Sequence, residues 1–170
     1  MKDKNCKCRV VPPPPQGPQG PPGKPGPQGP MGLPGNALGV CQIQGEGTEF
    51  ASPGGSVVFG VPGPCIDLST ANNNNAIQLS DIGIYEISFE TNCNMDINEN
   101  LSFQFNSDVT GSIGSTIQLR PAASSFETFP VSKSFLYQSS AMNEVISVST
   151  PTADGSPNYG DQLLHVIRYS

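Results

Sequence analysis

The chain has no tryptophan, a single histidine, and charged side chains at only 13% of its 170 positions. No run approaches the ~18 apolar residues of a membrane-spanning helix, so no membrane partner is expected. Aromatic residues are few, at 7%, which excludes little, because Val, Ile, Leu and Phe suffice for the core of a β-sheet. The opening MKDKNCKCRVVPPPP has no apolar segment of the kind that directs secretion, which leads to the expectation of assembly without classical export. Catalysis needs a constellation of groups, and the residues do not supply one. His165 sits mid-strand among apolar neighbours, where a structural role is expected. No Gly-x-Ser-x-Gly elbow occurs, and Gly111-Ser112-Ile113-Gly114-Ser115 reads as a turn. Asp154 and Asp161 lack the ligand order of a calcium loop. The expectation is a protein that is not an enzyme, with no metal site and no cofactor.

Charge is unevenly placed. Residues 1–37 carry Lys2, Lys4, Lys7, Arg9 and Lys24 against Asp3, a balance of +4, while residues 38–170 carry −10, giving the chain its −6. An acidic C-terminal region disfavours polyanions, so no nucleic acid is expected as a partner.

What the chain has in abundance is glycine and proline in one place. Gly17, Gly20, Gly23, Gly26, Gly29, Gly32 and Gly35 fall at every third residue, and six of the seven triplets contain proline. Three extended chains wound about a common axis tolerate only glycine there, once per turn. A proline-rich spacer has no such need. The register therefore predicts a collagen-like stalk over 17–37 and two further copies of a similar chain. The preceding residues 1–16 form a flexible tail with Cys6 and Cys8, too close in sequence to bridge each other easily. These thiols are either intermolecular cross-links or free. Cys41, Cys65 and Cys93 lie beyond the stalk, and their pairing is left open.

Residues 38–170 read as one all-β domain. Short alternating runs recur between turn residues, with no helical apolar stripe. In Ile84–Thr91, Tyr85, Ile87 and Phe89 face one way and Glu86, Ser88 and Glu90 the other. Leu101, Phe103 and Phe105 repeat the pattern, as do Ile146 and Val148, with turns expected at 92–100, 106–114 and 152–161. Asn72–Asn75 reads as a loop tip. The last run, LLHVIRYS, is apolar on both faces: Leu163, His165, Ile167 and Tyr169 on one, Leu164 and Val166 on the other. Such a strand suits the middle of a sandwich or a subunit interface, and the glycine register favours the interface.

The string DIGIYEISFETN resembles the Gly-x-Tyr strand of the tumour-necrosis-factor-like and complement globular-head superfamily. LSFQFNSDVTGSIGS is similar to its following hairpin, NEVISVSTP to its penultimate strand and LLHVIRYS to its closing strand. With a collagen stalk in front, residues 17–170 most resemble the BclA-type collagen-like exosporium glycoproteins of spore-forming bacilli. The resemblance implies a ten-stranded jelly-roll head that forms a homotrimer, with a trimer core of Leu163, His165, Ile167, Tyr169 and Tyr85. It implies attachment through the N-terminus to a surface-layer or appendage protein of the bacterial spore, which Cys6 and Cys8 could join by disulfide. The stalk has no Thr, unlike the glycan-bearing triplets common in that family. Two functions follow as expectations: a short structural fibre on the spore surface, or an adhesive tip whose head recognises a host or surface ligand.

Overall fold

The computed structural model describes residues 37–121 and 126–170. Cys6, Cys8 and the seven axis glycines lie outside the described residues. Among the described residues thirteen strands follow in chain order: β1 (Gly39–Gln44), β2 (Thr48–Phe50), β3 (Gly55–Ser56), β4 (Val61–Ile66), β5 (Ser69–Ala71), β6 (Ala76–Gln78), β7 (Ile84–Met95), β8 (Asn100–Ser107), β9 (Gly111–Leu119), β10 (Glu127–Gln138), β11 (Val145–Thr150), β12 (Ala153–Asp154) and β13 (Asn158–Arg168).

They form two antiparallel sheets. One runs β10-β7-β13-β1-β4, with β2 continuing the line of β1 along β13. The other runs β9-β8-β11-β6-β5, with β12 extending β11 along β8 and β3 extending β6 along β11. Once in-line pieces are merged, each sheet has five strand positions, the ten of a jelly roll.

Alternation places the core between the sheets. Tyr85, Ile87, Phe89, Cys93 and Met95 of β7 point inward opposite Leu101, Phe103 and Phe105 of β8, and all are buried. Phe89 is the hub: its ring centre lies 5.1 Å from Phe103, 6.1 Å from Phe105 and 6.3 Å from Phe59. Phe103 extends the cluster to Tyr159, and Phe105 to Phe135, both edge-on. Such pairs are each worth about 0.5–1.5 kcal/mol beyond the area they bury.

Several local details differ from the expectation. The segment Gly111–Ser115 is not a turn but the start of β9; the turn is Asp108–Thr110, where Ser107 Oγ accepts from the Val109 and Thr110 amides. Gly111 and Gly114 have φ of 79° and 63°, and the register between β8 and β9 shifts at Phe103/Phe105. Gly111 closes the chain reversal opposite Ser107, whereas Gly114 lies in the bulge between Ile113 and Ile117. Similarly, β7 runs on to Met95, and Ala153–Asp154 and Asn158–Asp161 are strand inside a segment read as loop. Asn72, Asn73 and Asn74 do sit at a loop tip, between β5 and β6, all with left-handed φ, which Asn tolerates better than most residues.

Cys41 and Cys65, opposed on β1 and β4, form a disulfide, while Cys93 is a buried free thiol. A second irregularity lies in β13, whose pairing with β7 skips between Gly160 and Leu163. Asp161 there adopts φ 53°, and Gln162 turns inward, its amide donating to the Val58 carbonyl. Gly45 makes room, since a Cβ there would lie 2.0 Å from Gln162 Nε2.

Candidate functional site

β13 lies between β7 and β1 at the centre of its sheet. Leu164 and Val166 are completely buried in the core, whereas Leu163, His165 and Ile167 on its other side are only half-buried and Tyr169, just beyond, is 40% exposed. These four share the outer face, as their spacing predicts. Tyr85 does not join them. It belongs to the inward set of β7, is 0% exposed, and its hydroxyl donates to the Asp81 carbonyl at 2.7 Å. The two-residue period of β7 requires this, because Tyr85 alternates with outward Glu86.

Cross-strand register extends the face. Leu136, Glu86, Ile167, Val40 and Ile66 stand opposite one another across β10, β7, β13, β1 and β4. The next row is Ser134, Ser88, His165 and Gln42, and the one after it Ser132, Glu90, Leu163 and Gln44. Leu136 and Ile66 are 69% and 61% exposed. Sequence reasoning did not single out Leu136, Val40 or Ile66, although each is the outward member of an alternating run (SFLYQ, GVCQI, PCID).

Glu86 is the carboxylate of the apolar row. Ser134 Oγ donates to its Oε1 and the Tyr169 hydroxyl to its Oε2, both at 2.7 Å. These two bonds, Ser134 first, hold its pKa below the usual carboxylate value, assisted by nearby His165. The same bond raises the phenol of Tyr169. The charge is thus satisfied within the protomer.

Asp161 separates two open hollows on this face, each about 320 Å³. Gln42, Gln44 and Leu163 line one; Glu90, Asn92 and Ser132 line the other. Neither is enclosed or apolar enough to resemble a small-molecule pocket. Among the described residues, no group of three or more His, Cys, Asp and Glu side chains is placed to hold a metal ion. Arg168 pairs with Asp81 at 2.8 Å and donates to Ser80 Oγ, tying the end of β13 to the loop before β7. That loop holds Gly83, where a Cβ would fall 1.7 Å from the Ser170 carbonyl oxygen. The Gly-x-Tyr pair therefore does structural service: glycine admits the closing strand, and tyrosine locks the loop from inside.

No family model matches the chain, and no curated protein does. Solved structures do. The globular domain of zebrafish complement 1qA protein superposes with a TM-score of 0.61 at 10% identity, covering 78% of this chain and 98% of that domain. Murine APRIL gives 0.59 at 10% identity over 76% and 98%, and Eiger TNF from S. frugiperda 0.57 at 8% over 79% and 94%. At such identities the likeness speaks for fold alone. The two-sheet domain of this chain is a jelly roll of the complement-1q and tumour-necrosis-factor type.

Proposed function

We propose that the protein is a structural, non-enzymatic surface fibre. Three chains join through their jelly-roll heads, a short collagen-like stalk carries the heads, and the N-terminal tail attaches the assembly to a bacterial spore surface or appendage. One observation carries this reading: a glycine register suited to three chains stands directly before a head whose central strand leaves Leu163 and Ile167 only half-buried, with Tyr169 exposed just beyond it. Apolar side chains left partly wet on a central strand call for a further contact. The resemblance of the stalk and head sequence to the exosporium glycoproteins supports the spore location. Cys6 and Cys8 serve as the attachment points to a docking protein.

Sedimentation equilibrium of the full chain tests the assembly, with a three-chain mass expected; a single-chain mass at tens of micromolar overturns it. Mass spectrometry of non-reduced, proteolysed spore-surface material tests the attachment. Peptides containing Cys6 or Cys8 joined to another protein are expected, and free thiols at both positions overturn the covalent link.

A further inference from the structure

β4 is an edge strand, paired on one side only, with β1. Its residues alternate between half-buried and exposed, so none of its side chains is fully buried, and Ile66 at its end is 61% exposed. Pro62 and Pro64 have no amide hydrogen to give a ladder, and Gly63 has no side chain to pack. The pairing itself is interrupted. Val61 and Pro62 stand opposite Gln44 and Ile43, and Cys65 and Ile66 opposite Cys41 and Val40, with a shift of register between the two pieces. On its other side β1 meets β13 in six consecutive pairs without a break.

The flanks of β4 are better held. Before it, Phe59 is buried and its amide donates to Asn75 Oδ1 at 2.8 Å; after it, Leu68 is buried. Gly60 and Asp67, which border the strand, both take left-handed φ, of 81° and 58°. Residues 61–66 are therefore a short strap between two fixed points, with a sharp backbone turn at each. Its tie to the core is the bond from Cys65, which is partly exposed, to Cys41, which is 0% exposed.

We propose that the Cys41–Cys65 disulfide is a redox clasp: oxidised, it holds β4 over the free edge of β1; reduced by a dithiol, it lets residues 61–66 lift between Phe59 and Leu68 while the two sheets stay folded. Fixing the backbone of one residue costs about 1–2 kcal/mol, and a ladder hydrogen bond returns about 1 kcal/mol net. Pro62 and Pro64 lower that cost, their φ being fixed, but forfeit the bond. The other four residues turn only alternate amides towards β1, so their bonds fall short of the cost without the cross-link. The Phe89 cluster and the β1–β13 ladder lie elsewhere and do not depend on β4. The clasp needs neither a stalk nor a second chain, so it stands or falls separately from the fibre.

The chemistry is thiol–disulfide exchange. The attacking thiolate meets the Cys65 sulfur, because Cys41 is out of reach of solvent. It forms a mixed disulfide with Cys65, and Cys41 departs as a thiolate that takes up a proton. The second thiol of the reductant then closes its own disulfide and frees Cys65. One dithiol is oxidised and one protein disulfide is reduced.

Hydrogen exchange, read peptide by peptide by mass spectrometry, tests the clasp in the full chain carrying Cys6→Ser and Cys8→Ser. After dithiothreitol, with alkylation of Cys41 and Cys65 confirming reduction, the amides of residues 61–66 should exchange about tenfold faster or more, while β7, β8 and β11 change by less than about twofold. The double variant Cys41→Ala, Cys65→Ala should show the same pattern with no reductant. Unchanged exchange over 61–66 in the double variant overturns the clasp, because the ladder then holds β4 by itself. Acceleration spread evenly over all strands overturns it too, since the disulfide would then brace the whole domain. So does a disulfide that survives dithiothreitol in the folded chain.

Discussion

The Cys93 thiol faces the core from β7, and burial pushes its pKa from 9.0 up to about 12. A thiol whose value rises on folding contributes stability that is complete below the unfolded value and disappears as pH climbs towards the folded one. Stability should therefore fall between about pH 9 and pH 12, and Cys93→Val should flatten that fall in urea titrations. In a chain carrying Cys6→Ser and Cys8→Ser, Cys93 is the remaining thiol. It should resist an aromatic disulfide reagent at pH 8 until denaturant is added, and rapid native reaction would contradict its burial. Residues were legible where one local rule decided them. Asn72–Asn74 took left-handed turns and His165 fell on an outer strand face. Tyr85 was misassigned because the Gly-x-Tyr string marks a family resemblance without saying which way the ring points; the alternation of β7 does say, and it points inward.

Among elements, the strands that alternate cleanly, β7, β8 and β11, were readable from sequence. β10 was not. It is an edge position with Pro130 and Lys133 in its middle, both usual at sheet edges and both disruptive to a strand pattern. Yet Phe129, Val131, Phe135 and Tyr137 alternate through it towards the core. Bulges hid the starts of β9 and β13, since glycine, Asn and Asp serve bulges as readily as turns. The Cys41–Cys65 bridge could not be read either, because strand neighbours far apart in sequence are set by topology. It joins positions 24 residues apart, so loop-closure entropy assigns it about 3 kcal/mol. Replacing both cysteines with Ala should lower the unfolding free energy by about that amount in urea. A loss below about 1 kcal/mol would show that the β1–β4 ladder holds without it.

At the scale of the whole molecule, the division at residue 38 separates a basic, proline-rich segment from an acidic β domain. In the proposed fibre the seven triplets would span only about 60 Å, short for a triple helix that must hold itself together. The heads should therefore assemble first and set the stalk's register. Deleting residues 38–170 should abolish the collagen circular-dichroism signal near room temperature, and a residual stalk that still gave it would reverse that order of assembly. The all-β class and the jelly-roll fold were legible because the cleanly alternating strands and the closing run kept their local patterns. How the outer face divides between apolar and polar ends was not, because that depends on cross-strand register, which brings Leu136 and Ile66 into line with Ile167 from distant parts of the chain.

The Leu38 amide donates to the Arg168 carbonyl at 2.8 Å, and the Ile84 amide to the Ser170 carbonyl, so β1 begins where β13 finishes. That adjacency governs where the domain could carry a grafted passenger. A passenger grafted after Ser170 would emerge beside Leu38, at the end of the domain where β1 begins. One inserted in the Asp96–Glu99 turn would emerge from the opposite end of β7, well away from both chain ends of the β domain.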